Sequence, residues 1–280
     1  MSLSKNEIES LSALCFSQLA NLRELDLSNN RIEVISNDTF KGLTNLRTLN
    51  LSENSISTIH QDAFVELLGL EKLHLDSNKI YSVHVKTFKP LVHLNELFLQ
   101  RNKIDLLESS TFDGLTRLKV LRLFSNNLRS VPSDAFKHLS LLERLDLDQN
   151  KIEAIHVDTF KQLKNLNLLN LKENSLTKIE SFTFKEMVYL ATLKLHKNQI
   201  ETLNSNSFMG LANLKELDLG ENNIKTVQGD LFKHLCKIET IYLKNNKISF
   251  IDNEAFKGLG NLKKVYMAAN PITTRNPEYV

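Results

Sequence analysis

Leu22–Leu43 reads LRELDLSNNRIEVISNDTFKGL, with a framework of Leu22, Leu25, Leu27, Asn30, Ile32, Ile35, Phe40 and Leu43. Displaced by twenty-four residues, this framework returns without insertion or deletion to the end of the chain. Asn falls at 6, 30, 54, 78, 102, 126, 150, 174, 198, 222, 246 and 270. One Phe column runs from Phe16 to Phe256 and takes eleven of the fifteen Phe in the chain. A fixed period of this length marks a solenoid, whose units bury their apolar faces only by stacking on one another.

The pattern LxxLxLxxNxIxxI followed by xxxxFxxL resembles the leucine-rich repeat in its twenty-four-residue, Phe-bearing form. It is similar to the repeats of Toll-like receptor ectodomains, Slit proteins, small matrix proteoglycans and neuronal adhesion receptors. The resemblance covers ten complete repeats over residues 22–261, a partial repeat at 1–21, and a partial repeat with a tail at 262–280. It implies an α/β repeat fold in one domain spanning residues 1–280. The expected shape is a right-handed leucine-rich-repeat solenoid, a horseshoe arc with a concave parallel β-sheet and convex loops or short 3₁₀ segments. For function it implies a non-catalytic protein-binding scaffold, an extracellular recognition or receptor-ectodomain module for a protein or microbial ligand. The alternative is an intracellular adaptor for the assembly of protein complexes.

A hydrophobic content of 41% at regular spacing suits one continuous core, and a net charge of +2 gives no argument for nucleic acid or an anionic membrane. The expected partner is therefore a protein, with a glycan as a further option, and neither nucleic acid nor membrane. The sequence does not set the oligomeric state. Apolar runs last only a few residues, and SLSKNEIES after Met1 lacks the basic start and apolar stretch of a secretory signal. Secreted members of the resembled families carry Cys-rich caps, whereas this chain has only Cys15 and Cys236. At ~4.8 Å per stacked strand they lie roughly 40 Å apart, far beyond disulfide reach. Either the compartment is reducing or the caps lie outside this sequence, and a repeat-only fragment is the favoured expectation.

Within each repeat LxLxx alternates as a strand with one buried face, so Leu25 and Leu27 point inward and Glu24, Asp26 and Ser28 line the concave surface. The Asn turns inward, where its amide can bond main-chain groups of its own and the adjacent repeat. The Phe rings are expected to stack in a convex spine. A polar residue two before the Phe, as at Asp38, Asp62, Asp134, Asp158 and Asp230, suits the start of a short turn or 3₁₀ segment. The partial repeat at residues 1–21 is expected to fray. Ile272 still fills a core column, but Arg275 breaks the pattern, so Thr273–Val280 is read as a tail, a cap remnant or a truncation point.

His60, His84 and His156 share one column, but their column neighbours Ser36, Glu108 and Pro132 do not complete a three- or four-ligand zinc set. They are read as solvated edge residues. No G-x-S-x-G, H-E-x-x-H or Gly-rich phosphate loop is present, and eight Gly are too few to build phosphate cradles. Asp146 and Asp148 share one face of a strand, and a sheet open to water is expected to leave their pKa values unsplit. The expectation is no enzyme, no metal and no cofactor.

The framework leaves the concave columns free, and there the candidates lie. One column runs Asp26, Asn50, His74, Phe98, Arg122, Asp146, Asn170, Lys194, Asp218, Tyr242, Tyr266, and the next includes Phe124 and His196. Phe98 and Phe124 lie diagonally adjacent, with Arg122, Arg101 and Val120 close by, as an exposed aromatic pair rimmed by Arg. The candidate ligand-binding set is therefore His74, Phe98, Arg101, Val120, Arg122, Phe124 and Asp146. Lys194 and His196 extend it through a weaker basic patch that includes Lys172 and Lys197. Tyr242 and Tyr266 form a third cluster, while Phe182 and Phe250 stand off the framework. Two N-glycosylation sequons occur, at Asn37 on a convex turn and at Asn50 on the concave face.

Overall fold

The computed structural model describes residues 1–273, and the break at Arg275 lies outside the described residues. Eleven parallel three-residue strands, from Glu24–Asp26 to Lys264–Tyr266, form one sheet in strict chain order. Each strand pairs with its equivalent twenty-four residues on, as in Leu25↔Leu49 and Leu121↔Leu145. The register follows from the inward Leu column, because a one-residue slip would turn that column to solvent.

Leu25, Leu27, Ile32, Ile35, Phe40 and Leu43 are all buried, and their equivalents continue one core along the array. The Asn ladder works as a two-repeat clamp. Asn54 donates to the carbonyls of Leu27, Leu51 and Ser52, while its Oδ1 accepts from the Ile32 N–H. Each internal Asn thereby satisfies main-chain groups that the bend would strand in a dry interior.

The residue before each Asn takes the left-handed backbone, with φ of 55° at Asn29, 53° at Gln149 and 51° at Glu221. From Lys5 to Asn245 each is held by a bond across the repeat boundary, as from Asn29 N–H to the Ser52 carbonyl. The Phe rings stack from Phe16 to Phe184 and again from Phe208 to Phe256 at 5.9–6.5 Å. That spacing exceeds the ~4.8 Å between strands, so the array bends toward the sheet.

On the convex side no described residue lies in an α- or 3₁₀ helix, and single turns closed by i→i+3 bonds take that place. These turns start two residues earlier than the Asp38 column. In that earlier column His60, His84 and His156 each accept a main-chain N–H two residues on through Nδ1. Asn204 and Asp252 do the same with side-chain oxygen, and Thr39 and Thr111 cap Ser36 and Glu108 from the far side. The His column is thus a set of turn caps.

The partial repeat at residues 1–21 docks on the first strand through Leu3 N–H to the Asp26 carbonyl, 2.7 Å, and a bridge between Ser2 and Asp26. Leu3 is only half-buried, whereas Leu147, bonded to the Asn170 carbonyl at 2.8 Å, is fully buried. Amide hydrogen exchange is therefore expected at least tenfold faster at Leu3 than at Leu147, since local opening at an edge costs less than in the array. Equal protection at the two amides would show that residues 1–21 do not fray.

Candidate functional site

Strand geometry sets the site. In Glu96–Phe98, Val120–Arg122 and Arg144–Asp146 the central Leu faces the core and the flanking residues face the concave side. Side chains of one column then meet at one strand spacing and lean together.

His74 and Phe98 stack at 4.3 Å with rings 13° apart, and the Arg122 guanidinium carbon sits 5.2 Å from the Phe98 centroid. Phe98 is covered on both sides and only 6% exposed, which corrects the expectation of an exposed Phe98–Phe124 pair. Its apolar surface is spent on a cation–π and ring-stacking ladder inside the sheet face. Phe124, in the next column, remains half-buried, as does Val120.

The ladder ends on Asp146, which is 2% exposed. Asp146 accepts from Arg144 Nε at 2.7 Å and Nη2 at 3.3 Å, and Arg122 Nε lies 3.5 Å away as an ion pair without a hydrogen bond. His74, Phe98, Arg122 and Asp146 therefore form one continuous row with Phe124 and Val120 beside it. Arg101 stands apart: it is exposed and occupies the left-handed turn after the strand, with φ of 55°. Lys194 lies two strands beyond Asp146 through Asn170.

The basic patch is compensated. Lys172 and Lys197 share Glu173 at 3.2 and 3.5 Å, and the buried His196 lies 3.8 Å from Asp218 and 3.5 Å from Glu221. Tyr242 and Tyr266 stack at 4.8 Å, 4° from parallel. Burial, followed by the nearby Glu216 carboxylate, raises the Tyr242 phenol above its ordinary value.

Asp148 overturns the expectation for the acidic pair. Its pKa is raised to about 6, first by burial and then by the Asp146 carboxylate, against the opposing pull of Lys172. A column inside the array is shielded by its neighbours even on the open face. Asn170 Nδ2 donates to Asp148 Oδ1 at 2.9 Å, and no cation pairs with Asp148 among the described residues. Gln100, in the same column, is 8% exposed, and its Oε1 finds no partner among the described residues. Neither Gln100 nor Asp148 was singled out from sequence as a ligand contact. Their signal was there in the column order Asp76, Gln100, Phe124, Asp148.

Elsewhere, Asn37 is exposed on a convex turn. Asn50 Oδ1 accepts from both the N–H and the hydroxyl of Ser52, so a glycan at Asn50 would have to displace that pair. A convex recess of ≈ 700 Å³ is lined by Val131, Ile155, Val157 and Phe182 among others. Phe182 is 41% exposed and adopts φ of 68°, uncommon for a bulky residue. No helix of the described residues is long and apolar enough to cross a membrane.

The family model described as "Leucine rich repeat" matches residues 1–32, 20–80 and 68–128, and that of the "BspA type Leucine rich repeat region" matches 129–263. No curated protein sequence matches the chain. Among solved structures, a leucine-rich-repeat protein of Leptospira interrogans is similar at 30% identity and TM-score 0.83, over 96% of this chain and 66% of that one. TLR13, solved with ssRNA13, is similar at 26% identity and TM-score 0.81, over 96% of this chain and 43% of TLR13. FLRT2, solved in an octameric complex with Latrophilin 3 and Unc5D, is similar at 29% and TM-score 0.78, over 88% of this chain and 75% of that one. The chain thus spans less than two thirds of the Leptospira protein and of TLR13.

Proposed function

Because the chain belongs to the leucine-rich-repeat family, a family of non-catalytic binding scaffolds, we propose that its concave sheet binds a protein ligand at the cell surface or outside the cell. The observation that carries this reading is the half-exposed apolar set Val120, Phe124 and Leu168. It lies on the concave columns, where the repeat framework dictates nothing, amid Arg122, Arg144, Asp146 and Lys194. Apolar residues interspersed with Arg on an otherwise polar face have the composition of an interface hot spot. The complex of FLRT2 with Latrophilin 3 and Unc5D supports a protein as the ligand class. Microbial proteins and glycans belong to the same candidate set.

The expectation against nucleic acid rested on net charge alone. The ssRNA complex of TLR13 removes its force, so RNA belongs in any ligand screen. A second reading, an intracellular adaptor, draws on Cys15 and Cys236, which are both free and exposed.

For a protein ligand captured from extracellular medium, Phe124→Ala combined with Leu168→Ala is expected to weaken binding by at least tenfold, as loss of a central apolar contact should. Phe182→Ala on the convex side is expected to leave affinity within twofold. Unchanged affinity in the concave double variant, measured by calorimetry, would remove the concave assignment.

A further inference from the structure

Resting on that reading of the concave face, we infer that Phe124, flanked by Gln100 and Asp148, is the seat of a single arginine side chain of the partner. The three residues occupy one column of three adjacent strands, so Phe124 lies between an amide oxygen and a carboxylate. Gln100 Oε1 is buried without a partner among the described residues, so a donor reaches it only once the side chain turns outward, and Asp148 accepts from the neutral Asn170 amide with no ion-pair partner among the described residues. A half-buried aromatic between a carboxylate and an amide oxygen is complementary to a cation that also donates hydrogen bonds.

The chain's own cations are engaged elsewhere. Arg122 lies over Phe98 and against Asp146, Arg144 is bound to Asp146, and Lys172 pairs with Glu173 at 3.2 Å. Arg101 projects from the exposed turn. Asp76, the next residue of the column beyond Gln100, faces His74 at 3.7 Å. The row Asp76, Gln100, Phe124, Asp148 is therefore an acceptor-rich strip whose neighbouring cation, Lys172, pairs with Glu173 and not with Asp148, and charge complementarity sets the partner's chemistry.

Shape favours guanidinium over ammonium. A planar guanidinium can lie flat on the Phe124 ring while presenting N–H donors along its edges to the neighbouring acceptors, whereas an ammonium is a compact point charge.

The test is an NMR titration of the whole chain with N-acetyl-arginine-N-methylamide, and with the matching lysine and norleucine derivatives as controls. Saturable shifts are expected at Phe124, Gln100 and Asp148, with the lysine derivative at least threefold weaker and norleucine silent. Asp148→Asn is expected to fold as the parent does, because it removes a buried charge, and to weaken the arginine derivative about fivefold. The charged groups acting on Asp148 are Asp146, Lys172 and Glu173, with Arg122 and Arg144 held on Asp146 and His196 two strands away in the same column. Acidification from pH 7.5 to 5 protonates Asp148 through its raised pKa of about 6. It is therefore expected to weaken the parent complex about as much as Asp148→Asn does, and to leave the variant nearly unchanged. A drop of equal size in the variant would move the effect to the histidines and overturn the inference.

Absence of shifts at Phe124, or equal binding by parent and Asp148→Asn, would also overturn it. If that happens while Phe124→Ala with Leu168→Ala still abolishes partner binding, the arginine seat fails and the concave interface stands. If the arginine derivative seats while partner binding survives the double variant, the concave interface fails and with it the assignment of the seat to the partner's arginine, the local pocket alone remaining.

Discussion

Asn150→Ala is expected to lower the stability of the chain by about 4 kcal/mol, the summed penalty of buried groups left without partners. Asn150 Nδ2 donates to the carbonyls of Leu123, Leu147 and Asp148, and its Oδ1 accepts from the Leu128 N–H at 3.1 Å. Alanine leaves those main-chain groups in an interior with no water to replace the amide, at about 1–3 kcal/mol for each group stranded. The damage crosses a repeat boundary, since Leu123 and Leu128 belong to the repeat before Asn150. Asn6 provides the internal control. It is exposed and donates only to Leu3 and Ser4, so Asn6→Ala is expected to cost under about 1 kcal/mol. Urea unfolding followed by circular dichroism reads both variants, the m-value reporting whether the array still unfolds as one unit. Equal costs at positions 6 and 150 would mean that the ladder is not what clamps adjacent repeats.

Phe136→Ala is expected to cost about 5 kcal/mol, the largest effect of a single substitution in the chain. The ring is fully buried between Phe112 at 6.1 Å and Phe160 at 6.4 Å. Truncation of a buried Phe costs about 3–5 kcal/mol in lost transfer energy and cavity, and each broken ring stack adds about 0.5–1.5 kcal/mol. Phe16 stacks on Phe40 at 6.4 Å and lies in the partial first repeat, where the edge can collapse around a deletion. Phe16→Ala is accordingly expected to cost about half as much. A loss below about 2 kcal/mol at Phe136 in the same urea experiment would show that the spine fills space without fixing the spacing of the coils.

The framework was legible because every copy repeats the same demand. A Leu column, an inward Asn and a Phe at fixed offsets admit one register, and eleven parallel strands follow from it. The left-handed residue before each Asn was not legible. The column reads Asn29, Glu53, Ser77, Arg101, Ser125, Gln149, with no Gly to announce the backbone. There the cross-repeat hydrogen bond and the Asn clamp impose a conformation that residue type would not choose. The start of the convex turn was hidden differently, because His, Asn and Asp all perform one capping task in that column, while Ser36 and Glu108 are themselves capped by a Thr three residues on.

At the candidate site, sequence placed the right residues on the right face and misjudged their exposure. Column order shows that His74, Phe98 and Arg122 are neighbours, but not that their flat groups close over one another and bury Phe98. Asp148 carries the same lesson in electrostatic form. A carboxylate on an open sheet reads as solvated, yet its flanking columns and Asp146 raise its pKa to about 6. The acceptors beside Phe124 stood out only once Arg122, Arg144 and Lys172 had been traced to Asp146 and Glu173.

Methyl cross-saturation from a bound protein ligand tests the concave interface most directly. Val120 and Leu168 carry half-exposed methyls on the concave face, whereas Val65, Leu68, Val92 and Val188 are exposed and lie off the concave columns. Saturation is expected to pass to Val120 and Leu168 and to leave the four others unaffected. Transfer to Leu68, Val92 or Val188 with Val120 and Leu168 silent would place the ligand off the sheet and contradict the concave account.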